Sequence, residues 1–443
     1  MPPRHPLPVD PCLVVANRDG RVFEIPELLA LGRSGGTAVR VHPAEFIPLP
    51  QGTLLFHLPG RQPIGWDPRS GRPTTLVEYQ GTPLCAAACF LPPAFTHLYL
   101  SAWEREAGAL PLPLYAYTAI AWRNGSFVTP AVRVDPDERQ EVSNFDTEEI
   151  ERRADAMLRS QPGNRLVEHL VRNCALTYCC PAARNFVMGR FEAPMPTSPA
   201  CNADCVGCIS FQPSDEIPVT QPRLTFQPTV NEIVEMATSH LTAADRAIVS
   251  FGQGCEGEPL LRAEVLEESI RKIRERTKRG TVHINTNASR PDVVQRLVAA
   301  GLNSIRISLN SCQPKFYDRY YRPRGYGLDQ VLESGRAVAH AGGTVSFNYF
   351  IFSGLTDTED EFAALHAAVA KAGTHVIQAR NLNIDPDLYL GALGLPLTMA
   401  PGFGLTRWFK RVRKTWPTMR FGYFNPPREG GPFKARPVSP GLR

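Results

Sequence analysis

The chain has 443 residues, 43% of them hydrophobic and 21% charged, the balance of a globular protein with room for two domains. It contains no run of about 18 uninterrupted apolar residues and no apolar stretch typical of a secretory signal, so we expect a cytoplasmic protein without a membrane-spanning segment. The net charge of +5 is uneven, because the residues from Pro401 onward carry ten Lys/Arg and a single acid. The basic character therefore belongs to the tail and not to the body.

Residues 1–145 are predicted to form a β-rich domain. Asp19-Gly20 and Asn124-Gly125 each separate two apolar runs. The two-residue turns of β-hairpins need positive φ angles, and Asp-Gly and Asn-Gly are the pairs that adopt them readily, so both positions predict hairpins. Prolines are frequent between the runs, which favours a small barrel or an open sheet over a long parallel sheet.

Residues 146–189 are predicted to form a helical connector. Asp146 can cap its first helix, with Glu149 three residues later as the reciprocal partner. The connector carries a cluster of thiols, Cys174, Cys179 and Cys180. They offer at most three ligands, and adjacent cysteines rarely both bind one metal without strain. A second metal cluster here is therefore possible in principle but is not the favoured interpretation.

Residues 190–400 alternate short apolar runs with amphipathic helical segments, which indicates α/β structure. The predicted strands are Arg246–Phe251, Thr281–Asn285, Ser304–Leu309, Thr344–Phe352 and His375–Asn381, after a short strand before Cys201. The predicted helices between them are Leu260–Thr277, Pro291–Ala300, Leu328–Ala341 and Glu359–Ala372, and a capping box at Thr229 and Glu232 predicts one before the second strand. Six βα units imply a parallel sheet curled into a partial (β/α)6 barrel, short of the eight units of a closed barrel.

Cys201, Cys205 and Cys208 fall in the loop expected after the first core strand, in C-x-x-x-C-x-x-C spacing. A structural zinc site wants four ligands, usually as two Cys-x-x-Cys pairs. Three close cysteines without a matching pair instead suit a four-iron cluster that keeps one iron open for a substrate or cosubstrate. The alternatives are buried thiols or a zinc knuckle completed by Cys180.

The segment 198–208, at the entry to the βα array, resembles the radical S-adenosylmethionine (SAM) superfamily. The resemblance covers about residues 190–385, under half of the chain. It implies a 4Fe–4S cluster held by the three cysteines, with SAM bound to the open iron through its amino and carboxylate groups. It also implies reductive cleavage of SAM, which yields a radical that abstracts hydrogen from a substrate that the sequence does not identify.

Gly257 and Glu258 follow the second core strand, where the family has a Gly-Gly-Glu stretch that binds the SAM amino group. The resemblance therefore assigns both residues to SAM binding. The sequence departs from the family by having Glu256 in place of the first glycine. Either the loop is bulged, with Gly254 serving, or that contact is lost.

Four polar residues at the ends of the next two strands are further candidates for SAM binding. Ser308 and Asn310 resemble the family's Ser-Leu-Asp/Asn segment, which contacts the SAM ribose or carboxylate. Thr286 and Asn287 end the preceding strand. The alternative for all four is ordinary turn chemistry at strand ends. Their common position at the carboxyl ends of strands, where barrel enzymes assemble their sites, favours the functional interpretation.

Two further positions are relevant to the binding of SAM. Arg380 shares a face of the last strand with Gln378. It could hold the SAM carboxylate or an anionic substrate, or it could belong to an internal ion pair. Gly207 stands where the family often has an aromatic residue near the adenine of SAM, so the adenine would rely on backbone contacts or another side chain.

Residues 401–443 form a basic extension. Trp408, Phe409, Val412 and Trp416 recur at helical spacing, which predicts a helix that buries one face and exposes its cations. Phe421 and its neighbours are expected to pack on the core as a strand or loop. The mixture of cations and aromatics would also suit single-stranded nucleic acid, an interpretation that is not favoured.

The sequence therefore predicts a radical SAM enzyme with a 4Fe–4S cluster, SAM, an unidentified substrate and an electron donor of flavodoxin or ferredoxin type. The alternative is a zinc-dependent nucleic-acid-binding protein built on the same cysteines and the basic tail.

Overall fold

The computed structural model describes residues 10–429, which form an antiparallel sheet followed by an α/β unit. Residues 1–9 and 430–443, the ends of the predicted first and last segments, lie outside this range. The antiparallel sheet has fourteen strands. They are Cys12–Asn17 (β1), Val22–Ser34 (β2), Thr37–Arg40 (β3), Phe46–Pro48 (β4), Leu54–Leu58 (β5), Arg61–Asp67 (β6), Arg72–Thr75 (β7), Glu78–Tyr79 (β8), Thr82–Phe90 (β9), Phe95–His97 (β10), Leu100–Ser101 (β11), Trp103–Arg105 (β12), Ala121–Arg123 (β13) and Ser126–Arg133 (β14).

Both predicted hairpins are confirmed. The Asp19-Gly20 turn joins β1 to β2, and Gly20 has a φ of 84°. Asn124 and Gly125, with φ angles of 52° and 78°, join β13 to β14. These are the left-handed conformations that such turns require, which only glycine and asparagine adopt readily.

The connector is helical, as predicted. Its helices are Thr147–Ser160 (α1), Arg165–Glu168 (α2) and Pro181–Val187 (α3), and the segment His169–Thr177 between α2 and α3 is π-helical. The side chain of Asp146 accepts a hydrogen bond from the backbone N–H of Glu149 and so caps α1.

The α/β unit contains a parallel sheet of seven strands in chain order. The strands are Glu192–Met195 (β15), Ile248–Phe251 (β16), Thr281–Thr286 (β17), Ser304–Leu309 (β18), Thr344–Ile351 (β19), Val376–Asn381 (β20) and Arg420–Gly422 (β21). The accompanying helices are Val230–Ala243 (α4), Ala263–Arg276 (α5), Pro291–Ala300 (α6), Pro314–Tyr321 (α7), Leu328–His340 (α8), Glu359–Ala372 (α9), Pro386–Leu393 (α10) and Leu405–Thr415 (α11). Closure of the sheet into a partial barrel stays a prediction.

The number of core strands differs from the predicted architecture. Six strands were expected, but β21, from the basic extension, pairs in parallel with β20. Together with α11, it places the described part of the extension against the α/β core. Three residues are too few to show a periodic pattern. The strand with which they pair lies about forty residues earlier in the chain, so the sequence around β21 does not indicate the pairing.

The two faces of the parallel sheet differ in chemistry. On β18, Ile305, Ile307 and Leu309 are fully buried in the hydrophobic core. Arg306 and Ser308 alternate with them and therefore face the other side. One face of the sheet thus packs against the helices, while the opposite face is polar.

Two buried ion pairs join the antiparallel sheet to the α/β unit. Arg33 pairs with Asp387, and Arg61 pairs with Asp385, each at 2.6 Å and with almost no exposed side-chain surface. Removing one partner of such a pair leaves a buried charge, so the pairs specify how the two parts meet. Within residues 10–429, none of the helices is both long and apolar enough to cross a bilayer.

Candidate functional site

The cysteine loop follows β15 and so lies at the carboxyl edge of the parallel sheet. Cys201, Cys205 and Cys208 are all half-buried. The end of α7 braces the loop between them, because the backbone N–H groups of Asp204 and Val206 donate to the carbonyls of Tyr321 and Tyr320, each at 3.0 Å. The loop is therefore held to the end of α7 through its main chain.

The three thiols fit a cluster better than they fit one ion. Among the described residues, the one set of three Cys, His or acidic ligand atoms that converge within 4.8 Å of one another lies elsewhere in the molecule. Cys201, Cys205 and Cys208 are therefore too far apart to bind a single zinc ion together. Each thiolate of an iron–sulfur cluster binds a different iron, which requires wider spacing. The zinc alternative on these cysteines is unsupported.

The thiols lie in a partly apolar environment. Burial, followed by the charge of Glu258, raises the pKa of Cys201 to about 11. The guanidinium of Arg223 donates to the sulfur of Cys208 at 3.4 Å. Without a metal, the raised pKa keeps Cys201 protonated at neutral pH, and the binding of iron would displace this proton.

Gly257 is required by a close approach between two loops. Its N–H donates to the carbonyl of Ser198 at 2.6 Å, and the next N–H, of Glu258, donates to the carbonyl of Ala200 at 2.7 Å. A β-carbon on Gly257 would lie 2.0 Å from the Ala200 oxygen. The glycine therefore lets the loop after β16 pair with the backbone that leads directly into Cys201.

Glu256, the departure from the family pattern, has a structural role. Its carboxylate accepts hydrogen bonds from the backbone N–H groups of Thr197, Ser198 and Gln253 at 2.7 to 2.8 Å. Burial raises the pKa of this carboxyl to about 7. At the position where the family has a first glycine, this chain therefore has a buried carboxylate. It joins the loop after β16 to the segment before the cysteine loop through main-chain hydrogen bonds.

Glu258 connects three neighbouring groups at the carboxyl edge. One carboxylate oxygen accepts from the Leu260 N–H at 2.9 Å and from the Thr286 hydroxyl at 2.5 Å. The other oxygen accepts from the Asn287 N–H at 2.8 Å. Glu258 is 3% exposed, and burial raises its pKa to about 7. A carboxylate offers about four acceptor positions, so three donors leave one position for a further donor.

Thr286 and Asn287 are brought to Glu258 at the end of β17, as their position predicted. The side-chain amide of Asn287 also donates to Asn202 at 2.8 Å, in the cysteine loop. Both residues therefore link the loops around the site, and both are buried.

Ser308 and Asn310 do not share one environment. Ser308 is half-buried on the polar face of β18 and pairs in register with Asn348 of β19. Asn310 is 3% exposed, and its amide donates to the Phe316 carbonyl at 3.1 Å and to the Tyr389 hydroxyl at 3.3 Å. The amide nitrogen of Asn310 is thus used in packing the loop after β18 against neighbouring helices.

Arg380 lies near the carboxyl end of β20, on the polar face. It donates to the Asn348 side chain at 3.1 Å and to the Tyr423 carbonyl at 2.6 Å, and it stacks 3.6 Å over the Tyr423 ring. No carboxylate among residues 10–429 forms an ion pair with it. Its partners are neutral, so its charge is not compensated by direct contact.

Arg306 adds a second cation to this face. It donates to Gln378 at 3.0 Å, while its buried Nε atom has no partner among the described residues. Burial, then the charge of Arg380, lowers the pKa of Arg306 to about 9. Arg306 was not among the predicted site residues, although its alternation with the buried isoleucines of β18 places it on the same side as Ser308.

A tyrosine lies directly beside Gly207, the position at which the family often has an aromatic residue. A β-carbon on Gly207 would lie 2.7 Å from the Tyr320 hydroxyl. Tyr320 is buried and packs edge-on against Tyr321 and Tyr389. The signal in the sequence was the pair of tyrosines on a helix that starts at Pro314, but no local pattern connects that helix to the cysteine loop.

Comparison with known families identifies this arrangement. Residues 195–366 match the family model of the Radical SAM superfamily. This part of the chain is a radical SAM domain. The match begins at the end of β15 and includes the cysteine loop, Gly257, Glu258 and the strand ends that follow.

Several solved radical SAM structures show similarity in part. Native anSMEcpe with bound AdoMet is 16% identical with a TM-score of 0.34, and the match covers 44% of this chain and 52% of that one. HydG, a maturase of the FeFe-hydrogenase, is 16% identical with a TM-score of 0.35 and coverages of 63% and 67%. SuiB of Streptococcus suis bound to S-adenosylmethionine is 13% identical with a TM-score of 0.35 and coverages of 54% and 51%.

The chain thus spans about half the length of the first of these structures. Identities and TM-scores this low say nothing about its reaction or substrate. No curated protein matches the sequence.

Proposed function

We propose that this chain is a radical SAM enzyme that binds a 4Fe–4S cluster through Cys201, Cys205 and Cys208 and cleaves SAM to begin hydrogen abstraction from a substrate. The observation that carries the proposal is the position of three half-buried thiols, too widely spaced for one ion, on a loop at the carboxyl edge of the radical SAM domain. When bound, such a cluster supplies the single electron that splits SAM. A small reductant of flavodoxin or ferredoxin type is expected to deliver it.

The loops around the cysteines support a role for Glu258 in binding the amino group of SAM. The carboxylate has three internal donors and one acceptor position left, which suits an ammonium group. Its raised pKa shows that a buried negative charge is disfavoured there, so an adjacent cation would stabilise the ionised form. Thr286 and Asn287 hold Glu258 in place, and Ser308 offers a free hydroxyl on the polar face for the SAM ribose or carboxylate.

The polar face also supports an anionic group on the bound ligands. Arg306 and Arg380 lie on the same face of the sheet, two strands apart, and each donates to neutral partners. The charge of Glu192 acts on Arg306 from β15, but no carboxylate of the described residues contacts either guanidinium. Such a pair favours a carboxylate between the strands, and we assign it to the carboxylate of SAM at Arg380.

Arg380 could bind the carboxylate of SAM or an acidic substrate. Measuring SAM affinity in the absence of substrate distinguishes these two roles. Arg380→Gln should weaken SAM binding about 10- to 100-fold, because it removes a charge-assisted hydrogen bond of about 1.5–3 kcal/mol. Arg413→Gln, on α11, is the matched control and should leave SAM affinity unchanged. Unaltered SAM affinity in Arg380→Gln would contradict the assignment and direct the search to an acidic substrate.

The decisive experiment concerns the cysteine loop. After anaerobic reconstitution, the wild type should bind about four irons per chain and form 5′-deoxyadenosine from SAM with dithionite. Replacing Cys201, Cys205 and Cys208 together by Ala should remove both. Cys179→Ala, which changes an exposed thiol outside the loop, should retain both. Iron and SAM cleavage that survive the triple substitution would place the cluster elsewhere and refute the proposal.

A further inference from the structure

A second set of metal-binding side chains lies away from the cysteine loop. His169 and Cys174 belong to the π-helical segment of the connector, and Cys255 lies in the loop after β16. The ligand atoms of these three residues all lie within 4.8 Å of one another. Both thiols are buried, and the imidazole is half-buried. Within residues 10–429 no other three Cys, His or acidic side chains converge in this way.

The distances match a single tetrahedral ion. The sulfur of Cys174 lies 3.6 Å from Nε2 of His169. Zinc binds sulfur at about 2.3 Å and nitrogen at about 2.0–2.1 Å, so the edge between these two ligands of a tetrahedral site is about 3.6 Å. Thiolates of an iron–sulfur cluster bind different irons and are further apart. The spacing therefore suits one ion and not a second cluster.

The π-helical backbone creates this convergence. His169 and Cys174 are five residues apart, a spacing that in an α-helix points the side chains about 140° away from each other. A π-helix bonds each N–H to the carbonyl five residues earlier, and the N–H of Tyr178 does bond the carbonyl of Asn173 at 2.9 Å. The wider turn brings the two ligands to the same side. Such segments occur mostly as short insertions and frequently at functional sites.

The imidazole also has a partner suited to metal binding. The side-chain amide nitrogen of Asn173 lies 3.1 Å from Nδ1 of His169, and the two ends of such an amide are interchangeable by a 180° turn. Turned so that its oxygen faces the ring, the amide accepts the Nδ1–H and leaves the lone pair of Nε2 directed at Cys174. Metal-binding histidines are commonly fixed in this way through the ring nitrogen that does not bind the metal.

We propose that His169, Cys174 and Cys255 bind one zinc ion, with water in the fourth position. Binding releases the two thiol protons, so that two thiolates and a neutral imidazole face the ion. Cys255 precedes Gly257 and Glu258 in the same loop, and its carbonyl accepts a hydrogen bond from Leu224 at 2.7 Å. The ion would thus tie the connector to the loop that carries the SAM-binding candidates. This site differs from the cluster of Cys174, Cys179 and Cys180 that the sequence leaves as the less favoured interpretation, because Cys179 is exposed and is not part of it.

The test measures zinc in the full chain after anaerobic purification. We expect about one zinc per chain, retained in the variant with Cys201, Cys205 and Cys208 all replaced by Ala. His169→Gln and Cys255→Ser should each lose it, whereas Cys179→Ser, the matched thiol control, should keep it. Retention of zinc in the variant that has lost its iron separates this site from the proposed cluster, so either one can fail while the other stands.

Cobalt provides a readout that does not depend on how well the variants fold. The wild type loaded with Co²⁺ should show the intense thiolate-to-cobalt absorption of a tetrahedral site, about one equivalent per chain. A wild type that binds neither zinc nor cobalt, or variants at His169 and Cys255 that bind as much as the wild type, would overturn the proposal and leave a hydrogen-bonded thiol–imidazole cluster.

Discussion

The hydroxyl of Thr286 donates to the carboxylate of Glu258 at 2.5 Å, which joins the loop after β16 to the end of β17. The same carboxylate accepts from the Asn287 N–H. Asn287 in turn donates to Asn202, next to Cys201. A buried acid thus connects two strand ends to the cysteine loop, and a change at Glu258 should affect both the ligand and the loops.

Glu258→Gln is expected to weaken SAM binding about 10- to 100-fold, since the amide loses a charge-assisted hydrogen bond of about 1.5–3 kcal/mol. Isothermal titration of the reconstituted protein with SAM measures this. Glu256→Gln is the matched control, because Glu256 is similarly buried and also accepts three hydrogen bonds, none of them from the end of β17. Equal losses of affinity in the two variants would show that Glu258 acts only through the folding of its loop.

Gly257→Ala is expected to lower the iron content of the reconstituted protein. A β-carbon there would meet the carbonyl oxygen of Ala200 at 2.0 Å and push the loop away from the segment that leads into Cys201. The iron-to-protein ratio and the visible absorption measure the effect. Gly391→Ala, on α10, adds its methyl group where nothing lies within 4 Å and should bind iron as the wild type does. Full iron loading of Gly257→Ala would contradict the close approach.

The elements with strong local signals were predicted from the sequence. The bounds of α6, β18 and α9 agree residue for residue with the prediction. Their ends carry clear signals: Pro291 opens α6, Thr358 caps α9, and Gly301 and Gly373 follow these two helices in left-handed conformations. The sequence therefore predicts the carboxyl ends of the strands closely enough to place the candidate residues at one edge of the sheet.

Features that depend on distant partners could not be predicted. β21 exists because it pairs with β20. The hydrogen-bond partners of Glu256 and Glu258 lie up to 59 residues away in sequence. The π-helical turn that brings His169 to Cys174 has no recognised sequence signal, and spacing in the chain alone groups Cys174 with Cys179 and Cys180. The structure groups Cys174 with Cys255 instead.

His97 should make the stability of the protein depend on pH. It is fully buried between the two sheets, with Nε2 2.9 Å from the Ile351 carbonyl, and burial lowers its pKa to about 4. Above the unfolded-state pKa of about 6.5, His97 is neutral in both the folded and the unfolded chain, so it does not make the stability depend on pH. As pH falls from there toward 4, only the unfolded chain takes up the proton, so stability is lost, by about 2 kcal/mol at pH 5.

His97→Gln removes this dependence while retaining a hydrogen-bond donor. Urea unfolding at pH 7 and pH 5, performed anaerobically, should show a smaller loss of stability in the variant than in the wild type, by about 2 kcal/mol. Replacing the exposed His57 by Gln should leave the pH dependence as it is. An identical dependence in His97→Gln and the wild type would mean that His97 is not held neutral at the junction.

Trp408 tests the structural role of the basic extension. It is fully buried on α11, and its ring stacks on Tyr349 and packs edge-on against Phe409. Trp408, Phe409 and Val412 form the buried face predicted for this helix, whereas Trp416 follows its last residue and is half-buried. Trp408→Ala should lower the free energy of unfolding by about 3–5 kcal/mol in urea titrations. Lys414→Glu, an exposed position on the same helix, should change it little.

The cations of α11 can be tested for RNA binding. Arg411 is committed to the protein, because it pairs with Glu359 at 2.6 Å and lies 4.0 Å over the ring of Phe362. A cation used in this way contributes little to an RNA-binding surface, so RNA affinity in a filter assay should be weak. Reversing Arg411 and Lys414 to Glu should leave that weak affinity unchanged, while the free energy of unfolding falls by less than about 1 kcal/mol per charge. Tight, salt-dependent RNA binding that disappears on this reversal would assign the extension to nucleic-acid contact and make RNA the class of substrate to test.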